Sequence, residues 1–142
     1  MNAAEQASSL ETASKIAAIV NLFKAEFPDA RVDLKPWAND PHTRDWVDPD
    51  SIDLAFHLPG FSRLFQSRSI LLQIRFHADG LTAERRVIGA EMAGFDHRGK
   101  QWRLSTIEDW LFEGSCSPVV QVRDRLKDFL KQALELFSSL EC

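Results

Sequence analysis

At 142 residues the chain fits one domain, long enough to bury roughly two-thirds of the surface its unfolded form exposes. A hydrophobic content of 44% argues against global disorder. No apolar run approaches the roughly 20 residues needed to span a bilayer, and Met1 to Glu11 lacks the basic and apolar blocks of a secretory signal. The net charge of −4 is unevenly spread: from Gly60 to Leu104 eight basic residues meet four acids, while the remainder holds nine basic and seventeen acidic residues.

In chain order, residues 1–8 are expected to be disordered. Ser8 and Glu11 have capping-box spacing, each side chain satisfying an orphan amide of a first helical turn. Ile16, Ile19, Val20, Phe23 and Phe27 then form one apolar stripe, and Pro28 ends the helix. From Arg31 the period becomes two: Val32 and Leu34 alternate with Arg31, Asp33 and Lys35 in a short strand closed by Pro36.

The polar loop from Trp37 to Asp50 gathers Asp40, His42, Arg44, Asp45, Asp48 and Asp50. Its spacing is not that of a calcium loop, and it has no glycine for the sharp mid-loop turn, so neither metal nor cofactor is expected. Trp37 and Trp46 either pin the loop to the core or anchor a partner, and Trp46 is counted among the partner contacts.

Ser51–Leu58 and Ser69–His77 alternate again. An antiparallel register with Ile52 opposite Phe76, Leu54 opposite Ile74 and Phe56 opposite Leu72 places Asp53 across from Arg75, a favourable pair. The connection Pro59–Arg68 carries Phe61, Leu64 and Phe65 among Arg63 and Arg68. Residues 82–93 read as strand or helix; Gly89 and the adjacent Val87 and Ile88 favour strand.

Asp96–Lys100 is a turn, and Gln101–Ser105 a last strand with Trp102 and Leu104 inward. Thr106 is placed to cap a short helical turn over Ile107–Phe112. Ser117 and Pro118 open a helix running to about Ser138 with a broad apolar face. Cys116 and Cys142 flank it, about 30 Å of helix apart, too far for a disulfide; two free thiols suit the cytoplasm.

These elements predict a single α+β domain: an antiparallel sheet of about five strands with an N-terminal and a C-terminal helix packed on one face. The other face would present Gln73, Arg75 and Arg103, with Phe61, Arg63, Phe65 and Arg68 at its rim. Arginine beside aromatic rings is what protein interfaces favour. A protein-binding or adaptor role follows, toward an acidic partner or a second copy as a homodimer. In size, acidity and order of elements the chain resembles small dimeric secretion chaperones, an outline that implies an assembly-chaperone-like role and assigns no residue.

A single-stranded nucleic-acid binder using the same arginines is the alternative, opposed by the acidic total charge. Catalysis finds less support. His42, His57, His77 and His97 are scattered, with no nucleophile elbow and no glycine-rich phosphate loop; an enzyme would need a pocket between sheet and helices.

Overall fold

The structure, a computed structural model, describes residues 1–37, 50–78, 85–107 and 110–138. Period-two alternation produces four substantial strands: β2 (Ser51–Ser62), β3 (Ser67–Ala78), β4 (Arg85–Asp96) and β5 (Gly99–Ser105). β1 (Arg31–Asp33) and β6 (Phe112–Glu113) flank them as short edge strands. The order is β1-β2-β3-β4-β5-β6, and every neighbouring pair is antiparallel.

The count is six rather than about five because Phe112, expected to end a helical turn, and Glu113 after it pair with Leu104 and Arg103 instead. The ambiguous 82–93 region is strand from Arg85 onward, and residues 79–84 lie outside the described residues. Ile88 is left outside the pairing between Val87 and Gly89 and stands exposed, which explains its weak alternation.

Three helices accompany the sheet: α1 (Ala3–Gln6), α2 (Leu10–Glu26) and α3 (Val120–Ser138). The expectation of disorder over residues 1–8 fails. The edge of β2 beyond the three-residue β1 is taken by Asn2, which bridges to Asp53, and Ala3 is fully buried. An edge amide left without a partner is costly, and this segment supplies one: the Asp53 amide donates to the Met1 carbonyl at 2.8 Å. The α2 cap is Ser9 rather than Ser8, its hydroxyl accepting the Thr12 amide at 3.1 Å. α3 begins at Val120, because the Val119 carbonyl collects the amides of Val122 and Arg123.

Aromatic packing fixes where the helices lie. Phe23 of α2 stacks on Phe56 of β2 with centroids 3.8 Å apart, and Phe129 of α3 meets Phe23 edge-on at 5.1 Å. Phe137 of α3 meets Phe76 of β3 at 5.8 Å. Both long helices therefore cover the face of Ile52, Leu54, Phe56, Ile70, Leu72 and Ile74, all buried. No helix among the described residues is long and apolar enough to cross a membrane.

The β2–β3 register differs from the expected one by two residues. Ile52 faces Ile74, Leu54 faces Leu72 and Phe56 faces Ile70. A slip of two preserves which face each side chain occupies, so the hydrophobic pattern cannot distinguish these registers. The turn decides: both strands run on into Pro59–Arg68 and close over Arg63–Gln66, where Gln66 is left-handed at φ 53°. Asp53 then faces Gln73, and the expected Asp53–Arg75 pair does not form.

The same turn sends Phe65 inward. It is 6% exposed, meets Phe27 edge-on at 4.8 Å, and its carbonyl accepts the Trp102 indole N–H at 2.7 Å. The Trp102 indole packs against Gly94, where an added Cβ would overlap its atoms. Gly94→Ala should therefore lower unfolding free energy by about 1–3 kcal/mol through overpacking. Gly60→Ala, whose Cβ meets nothing within 4 Å, should change it by under about 0.5 kcal/mol. Urea denaturation of the two variants tests this.

Candidate binding groove on the face away from the helices

Strand parity places Asp33, Ser51, Asp53, Ala55, His57, Ser69, Leu71, Gln73, Arg75, Glu91, Ala93, Phe95 and Arg103 on the side of the sheet opposite the long helices. This face divides into a corner held by one carboxylate, a neutralised centre and an open groove.

Asp53 holds the corner and has no exposed surface. A carboxylate taken out of water requires donors on its oxygens. Trp37 Nε1 donates to Oδ2 at 2.6 Å, the Met1 ammonium to the same oxygen at 2.9 Å, and the Ser51 hydroxyl to Oδ1 at 2.8 Å. Asn2 exchanges hydrogen bonds with the backbone of Trp37: its Nδ2 donates to the carbonyl at 3.1 Å, and its Oδ1 accepts the amide at 2.9 Å. Trp37, one of the two rings singled out in the loop, is thus pinned to the sheet. Trp46 and Asp40–Asp48 lie outside the described residues.

Two of the sequence-predicted contact residues occupy the centre. Arg75 and Arg103 both reach Glu91, at 3.1 and 2.8 Å, and Arg103 also approaches Glu113 at 3.6 Å. Gln73 accepts from Arg75 at 3.4 Å. Partial burial pushes the Glu91 carboxyl up, but the hydrogen bond from Arg103 and the charges of both arginines outweigh it, holding the carboxyl below its ordinary range. These arginines lie on the expected face, with their charge compensated inside the chain.

The groove lies toward the opposite end of the same rows. A cleft of about 200 Å³ has Trp37 and Pro36 as its wall and Ala55, Leu71 and Phe95 as its apolar floor. His57 and Ser69 line it as well, and with Phe95 they also line an adjoining polar recess of about 320 Å³. Arg31, Leu58, Arg68, Asp96 and His97 complete the recess. Asp96 is engaged by Arg98 at 2.9 Å and by Gln101 at 3.1 Å. Among the described residues Arg31, Arg63 and Arg68 make no ion pair, and all three are exposed.

At the junction three strands align polar groups that sequence inspection left unconnected. His57 Nε2 lies 3.1 Å from Asp33 Oδ2, and His57 Nδ1 lies 2.8 Å from Ser69 Oγ. An ionised carboxylate only accepts, so Nε2 carries a proton toward Asp33; Nδ1 accepts the Ser69 hydroxyl when the ring is neutral and donates to its oxygen when the ring is charged. Burial raises the Asp33 carboxyl, but the His57 hydrogen bond, the Lys35 amide and the charges of His57 and Arg31 bring it below the ordinary range.

Such a line polarises a hydroxyl. Ser69, however, sits in a strand paired on both sides, so the ladder occupies the backbone amides an oxyanion would need. The line fixes the Ser69 hydroxyl and the His57 imidazole at the mouth shared by the two spaces. The signal was present in the sequence only as alternation, since Asp33, His57 and Ser69 share a face once the β1–β2 and β2–β3 registers are known.

The other predicted rim residues divide. Phe61, Arg63 and Arg68 are exposed near the β2–β3 turn, whereas Phe65 is core and offers no contact surface. Cys116 is a free thiol, and Cys142 lies outside the described residues. Among the described residues no three His, Cys, Asp or Glu side chains gather as a metal site.

Glu91→Gln should cost about 1–3 kcal/mol at neutral pH, because two arginines lose a shared acceptor. The folded carboxyl titrates below its unfolded value near 4.5, so its contribution is complete above that value and disappears as pH falls through the lower folded one. Thermal melts of both proteins from pH 7 to pH 3 should therefore converge at the acid end.

No curated protein and no solved structure matches the chain. Residues 4–139 match the family described as a domain of unknown function, and the chain belongs to that family.

Proposed function

We propose that this protein is a protein-binding module, adaptor-like or assembly-chaperone-like, that seats a segment of an acidic partner on the sheet face its helices leave uncovered. The observation that carries this reading is the joining of an apolar cleft to a recess lined by Arg31 and Arg68, which have no ion-pair partner among the described residues. Arginine next to aromatic and aliphatic surface suits carboxylate-bearing segments, because the guanidinium fork binds carboxylates while the apolar floor excludes water.

The contact surface is thereby displaced from the expected centre. Arg75 and Arg103 serve Glu91, whereas Arg31, Arg68 and, near the turn, Arg63 are exposed and make no ion pair among the described residues. Phe61 stands exposed beside that turn. Self-association by strand addition is disfavoured, since the edge strands span only Arg31–Asp33 and Phe112–Glu113. A groove on this face also differs from the pocket between sheet and helices that an enzyme would have required.

A fluorescein-labelled acidic peptide with interspersed leucines, titrated by anisotropy, should bind wild-type protein. Binding should weaken at least about tenfold in the Arg31→Ser, Arg63→Ser, Arg68→Ser variant, with no change in melting temperature. Equal binding by the two proteins would refute the proposal. A single-stranded oligonucleotide bound in preference to the peptide, with affinity falling steeply between low and physiological salt, would support the nucleic-acid alternative instead.

A further inference from the structure

We infer that the groove captures the C-terminal residue of a partner chain: the apolar cleft takes its side chain, and the polar recess takes its free carboxylate. This deepens the binding role proposed above and rests on it. The argument begins with size. A cleft of about 200 Å³ is below the several hundred Å³ of a drug-sized ligand site, and its apolar floor of Ala55, Leu71 and Phe95 suits one aliphatic side chain.

Charge supplies the second part. The recess joined to that cleft is lined by Arg31 and Arg68, both exposed and without an ion-pair partner among the described residues. Its own carboxylate, Asp96, is held by Arg98 and Gln101. An incoming carboxylate therefore meets two arginines, while Asp96 is held by Arg98 and Gln101 and Asp33 by His57 and the Lys35 amide. The long, exposed side chains of Arg31 and Arg68 can close on it from β1 and β3.

The third part is the junction. His57 and Ser69 line both spaces, where the Cα of a terminal residue, with its side chain on one side and its carboxylate on the other, would have to lie. The Asp33–His57–Ser69 line fixes the orientation of both polar groups before anything binds, reducing the ordering cost of recognition. An internal acidic residue carries its carboxylate on its own side chain and would have to fill the cleft from a neighbouring residue, whereas a terminal residue offers both groups from one Cα. Capture of a chain end uses known physics, with a carboxylate held by convergent donors beside a side-chain pocket.

Calorimetric titration with a short peptide ending in leucine tests this, comparing the free carboxylate with the C-terminal amide. The free acid should bind at least about tenfold more tightly than the amide. Arg31→Gln with Arg68→Gln should abolish that preference, whereas Arg75→Gln should leave it intact. Leu71→Gln should remove the preference for a leucine over a glycine terminus. Melting curves confirm folding of each variant, and all of the substituted side chains are at least partly exposed.

Equal affinity for acid and amide would overturn the inference. If the acidic internal peptide still bound through the arginines, the broader proposal would stand without it. Binding of neither peptide would defeat both. Tight binding of decanoate without binding of the leucine-ended peptide would also overturn it, identifying a free amphipathic acid as the occupant.

Discussion

A carboxylate with no exposed surface organises the side of this protein on which its groove lies. Asp53 sits on the face away from the long helices, where strand residues would ordinarily be solvated, and its burial has to be compensated donor by donor. Meeting that demand brings two distant pieces of chain, the Met1 amino group and the Trp37 indole, to join the Ser51 hydroxyl of the same strand. The Trp37 contact matters most for shape. It holds a large ring against the sheet and gives the groove a wall beyond the three-residue β1.

A second constraint concerns charge. The basic surplus between Gly60 and Leu104 is real in composition, yet its two members at the centre of the face are spent on Glu91. A half-buried arginine is stable only near an acceptor, and the β3–β4–β5 register brings one within reach of both. Arg31, Arg63 and Arg68, exposed and without an ion pair among the described residues, lie instead at the groove end and near the β2–β3 turn. Counting charges along a sequence does not separate compensated from available arginines; distance does.

Much of the fold was legible because its signals are local. Alternation over Ser51–Leu58 and Ser69–His77 identified the buried set Ile52, Leu54, Phe56, Ile70, Leu72 and Ile74, and the apolar stripes identified both long helices. The β2–β3 register was not legible, since a two-residue slip leaves every side chain on its own face and only the turn geometry at Arg63–Gln66 distinguishes the alternatives. Phe65 was misplaced for the same reason: inside a turn, parity no longer applies, and its position was settled by Phe27 and by the Trp102 hydrogen bond.

The candidate site divides along similar lines. Gln73, Arg75 and Arg103 were correctly assigned to the outer face, because facing follows from period alone. The groove, the Asp33–His57–Ser69 line and the placement of Arg31 and Arg68 at the recess depended on pairings across three strands and on a loop tryptophan drawn to a buried acid. The amino-acid sequence by itself determined the elements, their apolar faces and the layered α+β arrangement, since hydrophobic burial acts through short-range periodicity. Only the tertiary structure decided which charges remain available and where a cleft opens, since both depend on distances between residues that the chain holds tens of positions apart.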